Sequence, residues 1–129
     1  MKKIVILGST GSIGKSLLKI ISKNKSHYKI VLLTVNKNYQ ALFRQAKKFN
    51  VKNVILTDKK IFNLHKKKFK DNKINVFNNY KDINKILNKK VDYVMSSIVG
   101  LDGLLPTFKL IKHTNNIAIA NKESIICAW

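Results

Sequence analysis

The stretch Ile4-Val5-Ile6-Leu7-Gly8-Ser9-Thr10-Gly11-Ser12-Ile13-Gly14 decides how the rest of the chain is read. Its first four residues are apolar and mostly β-branched, which suits a strand buried on both faces. Three glycines follow at G-x-x-G-x-x-G spacing, a variant of the dinucleotide fingerprint. The stripe Ile13, Leu17, Leu18, Ile20 and Ile21 then predicts a helix over Ser12–Lys23. Glycines placed this way let the chain turn tightly, let backbone approach a pyrophosphate, and let a helix pack close to a strand. The free N–H groups of the first helical turn, aided by the helix dipole, would face the phosphates. Strand, loop and helix together predict dinucleotide binding.

The alternation continues outward from this unit. Strands are expected at Ile30–Val35, Val54–Leu56, Ile74–Phe77, Val91–Ile98 and Ile117–Ala120. Helices are expected over Tyr39–Phe49, Lys59–Phe69, Ile83–Leu87 and Gly103–Lys112, with Pro106 in or near the first turn of the last. Continuous apolar runs separated by helices imply a parallel sheet covered on both faces. Right-handed crossovers then make the fold class α/β, a Rossmann-type doubly wound parallel sheet. The 129 residues suit a single domain. A further apolar stretch, Ile125–Trp129, opens after Asn121-Lys122-Glu123-Ser124, and the chain ends inside it. This reads as a domain truncated at the C-terminus.

Composition narrows the function classes. Hydrophobic residues make up 45% of the chain, which excludes a disordered tail. There are 26 Lys+Arg against 6 Asp+Glu, a net charge of +20. A basic nucleic-acid-binding module is one reading of that excess. Against it, Arg44 is the only arginine, the lysines are dispersed apart from Lys66-Lys67-Lys68, and the Lys, Asn and Ile bias shares A/T-rich codons. No nucleic-acid partner is therefore expected, although the positive field favours anionic small molecules. The apolar run at the N-terminus is too short for a secretory leader, and no stretch approaches a membrane span. Cys127 is the single cysteine. The expected compartment is the cytoplasm or a plastid-type organelle, with no membrane partner.

The end of the second strand carries the next signal. Sites for NAD place an acid there, about 20 residues beyond the glycines, to bind the ribose 2′-hydroxyl. This chain has Val35-Asn36-Lys37-Asn38, with a cation and no acid, which predicts NADP(H). A phosphate loop of the nucleotide-hydrolase kind is suggested by Gly14-Lys15-Ser16, with Asp58 as a possible magnesium acid. That motif needs a glycine five residues before Gly14, where Ser9 stands. His27, His65 and His113 lack metal-ligand spacing and are expected at the surface. Asp102 and Glu123 are too few for a carboxylate cage, so no metal ligand and no catalytic residue is assigned.

Four stretches together resemble the 1-deoxy-D-xylulose 5-phosphate reductoisomerase family. They are Ile6–Gly14, Asn36-Lys37-Asn38, Ser97-Ile98-Val99-Gly100-Leu101-Asp102-Gly103-Leu104-Leu105-Pro106-Thr107, and Ala120-Asn121-Lys122-Glu123-Ser124. The resemblance spans the chain, and the last two stretches are its specific part. It implies that residues 1–129 are the NADP(H)-binding domain of an enzyme whose catalytic and C-terminal parts lie elsewhere. Such enzymes convert 1-deoxy-D-xylulose 5-phosphate to 2-C-methyl-D-erythritol 4-phosphate, using NADPH and divalent metal (Mg or Mn), usually as homodimers. By resemblance, Thr10, Gly11, Ser12 and Ile13 would hold the pyrophosphate, and Asn36, Lys37 and Asn38 the 2′-phosphate end. Ser97–Gly100 would line the cleft, Asn121 and Glu123 would contact cofactor, and Lys122 would contact substrate. Two positions depart from the family pattern: Asn36 stands where glycine is usual, and Trp129 follows Ala128 where glycine is usual. Without the family's metal-binding part, the chain by itself is expected to be inactive. A semialdehyde-dehydrogenase type of NADP-dependent reductase is the alternative, but Cys127 lacks the surroundings of its catalytic cysteine.

Overall fold

In the structure, a computed structural model, residues 1–98 and 104–119 are described. Eleven elements alternate along them: β1 Lys2–Leu7, α1 Ser12–Ser22, β2 Tyr28–Val35, α2 Tyr39–Lys48, β3 Asn53–Leu56 and α3 Lys59–Asp71. They continue as β4 Asn75–Phe77, α4 Ile83–Ile86, β5 Tyr93–Ser96, α5 Leu104–Ile111 and β6 Ile117–Ile119. All strand pairings are parallel, in the order β4-β3-β2-β1-β5-β6. The chain steps outward from β1 to β4, then crosses back to place β5 on the other side of β1. That reversal is the topological switch point of a doubly wound sheet, and ligands bind beyond the strand ends there.

The strands feed two cores, one per face of the sheet, because successive side chains alternate. On one face Ile4 and Ile6 of β1 pack with Leu18 and Ile21 of α1, Leu42 and Ala46 of α2, and Phe69 of α3. On the other, Val5 and Leu7 pack with Ile83, Leu87, Tyr80 and Leu110. The β1–β2 register shifts between Ile4 and Val5, where Ile4 pairs with Ile30 and Val5 with Leu32. The bulge leaves both Val31 and Leu32 against the second core, while Ile30 and Leu33 serve the first. A bulge re-aims every side chain beyond it. Here it turns Thr34, near the strand end, toward Tyr80.

The expected fifth strand, Val91–Ile98, is shorter than its apolar run. Val91 makes only an isolated bridge to Thr114, and Ser97 and Ile98 leave the sheet. The α1 stripe also divides. Leu18 and Ile21 are buried and Leu17 partly so, whereas Ile13 is 44% exposed and Ile20 57%. Pro106 lies in the first turn of α5 as expected. Gly103 and Ala120, at the edges of expected elements, lie outside the described residues.

Candidate dinucleotide site

The three glycines after β1 do three different things. Gly8 has φ of +76°, a conformation that side chains rarely adopt. Gly14 lies inside α1, where an added Cβ would sit 2.6 Å from the Gly8 carbonyl oxygen and 2.8 Å from Ser9 Cα. Gly11 is constrained by neither effect. Its φ of −74° and ψ of 170° suit any residue, and an added Cβ would meet only Gly8 O at 3.5 Å. A glycine that the fold does not require, exposed at the head of a helix, leaves its space open to a ligand.

Gly11 caps α1 without a side-chain hydrogen bond. Its carbonyl accepts from the Lys15 amide at 2.9 Å, so the amides of Ser12, Ile13 and Gly14 have no intrahelical acceptor. Ser12 and Ile13 are exposed beside it and Thr10 is half-buried. The helix end thus presents donors and positive dipole to the space beyond β1.

Gln45, Thr34 and Tyr80, which the sequence did not single out, join Ser9 and Ser97 in tying down this loop. Ser9 is fully buried, and its hydroxyl donates to Gln45 Oε1 at 2.7 Å. Gln45 Nε2 returns a bond to the Ser9 carbonyl at 3.1 Å, so α2 clamps the loop at two points. The Thr34 carbonyl accepts from the amides of Gly8 and Ser9, at 2.9 and 3.0 Å. Thr34 Oγ1 also accepts from Gly8 N–H, and receives the Tyr80 hydroxyl at 3.2 Å. Burial pushes the Tyr80 phenol up to about 12, opposed in part by that hydrogen bond. Just beyond β5, the Ser97 hydroxyl reaches the carbonyls of Leu7 and Gly8, at 2.7 and 3.0 Å.

Between these elements lies a cleft of about 600 Å³, bounded by Thr10 and Gly11 on one side and by Ser97, Ile98 and Pro106 on another. Asn36, Thr57 and Tyr80 also line it. A more open cavity of similar size, at Met1, His27 and Asp92, lies at the opposite ends of the strands, away from the switch point.

At the end of β2 the amides are polarised in one sense. Asn36 Oδ1 accepts from the Thr57 hydroxyl at 2.9 Å. Asn38 Oδ1 caps α2 by accepting from Ala41 N–H at 3.2 Å. Each side chain has its acceptor engaged, and its Nδ2 group remains to donate. The Lys37 ammonium, 70% exposed, stands between them in the sequence. Asn36 does not have positive φ; among the described residues only Asn50 and Lys73 combine a side chain with that conformation. Its departure from glycine therefore involves no left-handed strain.

An acid does reach this corner, from the third strand. Asp58, two residues beyond β3, caps α3 by accepting from Ile61 N–H at 3.0 Å, and brings Oδ2 to 4.0 Å from Lys37 Nζ. Two residues of the rival phosphate-loop reading, Ser16 and Asp58, are committed elsewhere, since the Ser16 hydroxyl bonds back to the Ser12 carbonyl. His27 is exposed, but His65 stacks on Tyr39 with ring centroids 3.6 Å apart. His113 is half-buried, and its Nε2 has no partner among the described residues. Desolvation holds its pKa below the ordinary imidazole value, helped by Lys112 and opposed by a hydrogen bond to the Leu87 backbone. Among the described residues no three His, Cys, Asp or Glu side chains gather as metal ligands. Val99 and Gly100 of the expected cleft wall, with Asn121, Lys122 and Glu123, lie outside the described residues.

Comparison with known proteins bears on this arrangement. The family model described as 1-deoxy-D-xylulose 5-phosphate reductoisomerase matches residues 4–129. The chain belongs to that family. A reductoisomerase of that name from Pelagibacter ubique is 60% identical, over all of this chain and 34% of its own length. The solved enzyme from Zymomonas mobilis in complex with NADPH superposes with a TM-score of 0.87 at 31% identity, covering 98% of this chain and 34% of that one. A second reductoisomerase structure, in complex with NADPH, fosmidomycin and magnesium, gives 0.86 at 29% identity, over 98% and 31% of the two chains. The chain thus spans about a third of the length of the reductoisomerases it matches. No helix among the described residues is long and apolar enough to cross a membrane.

Proposed function

We propose that residues 1–129 form the NADP(H)-binding domain of a reductoisomerase that converts 1-deoxy-D-xylulose 5-phosphate to 2-C-methyl-D-erythritol 4-phosphate. The observation that carries this reading is a pair of donor groups about the cleft. Thr10 and Gly11, beside the unpaired amides at the head of α1, line it, and so does Asn36, which Lys37 and Asn38 follow in the sequence. A dinucleotide with a 2′-phosphate needs anion recognition at two separated points, and this arrangement supplies both. Thr10, Gly11, Ser12 and Ile13 hold the pyrophosphate, and Asn36, Lys37 and Asn38 hold the 2′-phosphate. By family resemblance, Asn121 and Glu123 contact the cofactor and Lys122 contacts the sugar phosphate. When bound, NADPH supplies hydride to the reduction. The divalent metal of the reaction is held outside the described residues, and the assembled enzyme is a cytoplasmic homodimer.

The role of this chain's own residues is to bind and orient. The Ser9–Gln45 clamp and the Thr34–Tyr80 pair fix the loop before ligand arrives, so little ordering cost is left for binding. The test is calorimetric titration of the chain with NADPH and NADH. NADPH is expected to bind more tightly, and Lys37→Ala to weaken it by about 1–2 kcal/mol, the scale of a charge-assisted contact, with NADH little changed. Equal affinities for the two cofactors would overturn the reading.

A further inference from the structure

Lys37 is not a free cation. Its ammonium shares the corner between β2 and β3 with Asp58, and the two interact before any ligand is present. We propose that Asp58 is a specificity-determining residue that competes with the cofactor's 2′-phosphate for Lys37, moderating the preference for NADPH over NADH. The inference rests on the NADP(H) reading above.

The carboxylate is fixed where it stands. Oδ1 is committed to the α3 N-cap, and the Asp58 amide donates to the Asn36 carbonyl at 2.9 Å. The Asp58 side chain is 23% exposed against 70% for Lys37, so the acid is the stationary partner and the lysine the adaptable one. Suppose Lys37 grips a phosphate oxygen at about 2.8 Å, the usual length of such a contact. Asp58 Oδ2 lies 4.0 Å from the same nitrogen, so the two anions then lie within roughly 7 Å of each other. That is inside the screening length of about 8 Å at physiological salt. Carboxylate and phosphate therefore repel across the lysine that both attract. The 2′-hydroxyl of NADH carries no charge and incurs no such opposition.

Asp58→Asn isolates the effect, because Asn caps helices as well as Asp does and keeps nearly the same shape. Asp58→Ser, also a good cap, serves as the second variant. Affinities of the 129-residue chain for NADPH and NADH are measured by titration at low and high salt, with thermal melts as the control for folding. Both variants are expected to bind NADPH roughly fivefold more tightly at low salt, on the scale of one exposed ionic interaction. NADH affinity should move less than twofold, and the NADPH gain should shrink at high salt. In a Lys37→Ala background the gain should be smaller, because only the direct repulsion between the two anions then remains. An unchanged or weaker NADPH affinity in both variants, or a gain undiminished by loss of Lys37, refutes the competition. A native chain that does not prefer NADPH refutes the cofactor reading itself. A preference that is intact in the native chain and unmoved by the variants refutes only the role of Asp58.

Discussion

Substituting the second and third glycines of the loop separates folding from binding. Gly14→Ala places a methyl group 2.6, 2.8 and 2.9 Å from Gly8 O, Ser9 Cα and the Ser9 carbonyl carbon, all backbone atoms. Relief requires α1 to move away from the turn by the better part of an ångström, against a loop tied to β2, α2 and β5. Overpacking of this kind costs about 1–3 kcal/mol, and contact with three backbone atoms puts the cost at the upper end. Replacing glycine by alanine inside a helix returns about 1 kcal/mol. The net loss is about 2 kcal/mol, or roughly 6–10 °C in Tm for a domain of this size. Gly11→Ala meets only ordinary contact at 3.5 Å with unstrained backbone, so capping loss and reduced unfolded-state entropy nearly cancel. Its stability should stay within about 0.5 kcal/mol of the native value. Gly11→Val should likewise stay folded while its NADPH titration goes flat. Urea melts followed by circular dichroism, paired with cofactor titration, check both variants. If Gly14→Ala is as stable as the native chain, or Gly11→Val keeps full affinity, the division of labour among the glycines is wrong.

Gln45→Ala should destabilise the chain by about 1–3 kcal/mol in urea melts, because Ser9 is left buried with its hydroxyl and carbonyl unpaired. It should also weaken NADPH binding, since the loop is no longer fixed in advance. Tyr80 has its pKa raised from 10.0 to about 12, so the unfolded chain releases this proton first as pH rises. The associated stability, on the order of 2–3 kcal/mol, is fully present below pH 10 and should be lost as pH climbs through 12. Denaturant melts from pH 9 upward should show a decline that is shallower in Tyr80→Phe. An equal slope in that variant would remove Tyr80 as its cause.

The sheet was legible because parallel strands buried on both faces leave continuous apolar runs, and each run falls on a strand of the structure. Where runs and strands disagree, tertiary geometry decides. Ser97 and Ile98 continue an apolar run, yet they leave the sheet because Gly8 needs them: the Ser97 hydroxyl takes the Leu7 and Gly8 carbonyls, and both side chains fill the space beside a residue with no Cβ. The bulge in β2 was invisible for a similar reason. Ile30-Val31-Leu32-Leu33 is apolar throughout, so no alternation marks the residue at which the parity changes.

The site was legible where one segment carries the chemistry and opaque where several meet. Glycine spacing and the missing acid after β2 can be read along the chain. Gln45 and Tyr80 are separated from Ser9 and Thr34 by 36 and 46 positions, and an isolated Gln in a helix or Tyr in a loop carries no local mark of its partner. Asp58 is the instructive residue. Along the chain it reads as a strand-end acid of the kind that binds magnesium, whereas in the structure it caps α3. Parallel pairing of Val35 with Leu56 sets the ends of β2 and β3 side by side. An acid two residues beyond Leu56 then meets a cation two residues beyond Val35. The absence of acid after the second strand therefore describes that segment and not the corner it helps to build. Register, rather than composition, decides which charges meet beyond the ends of β2 and β3.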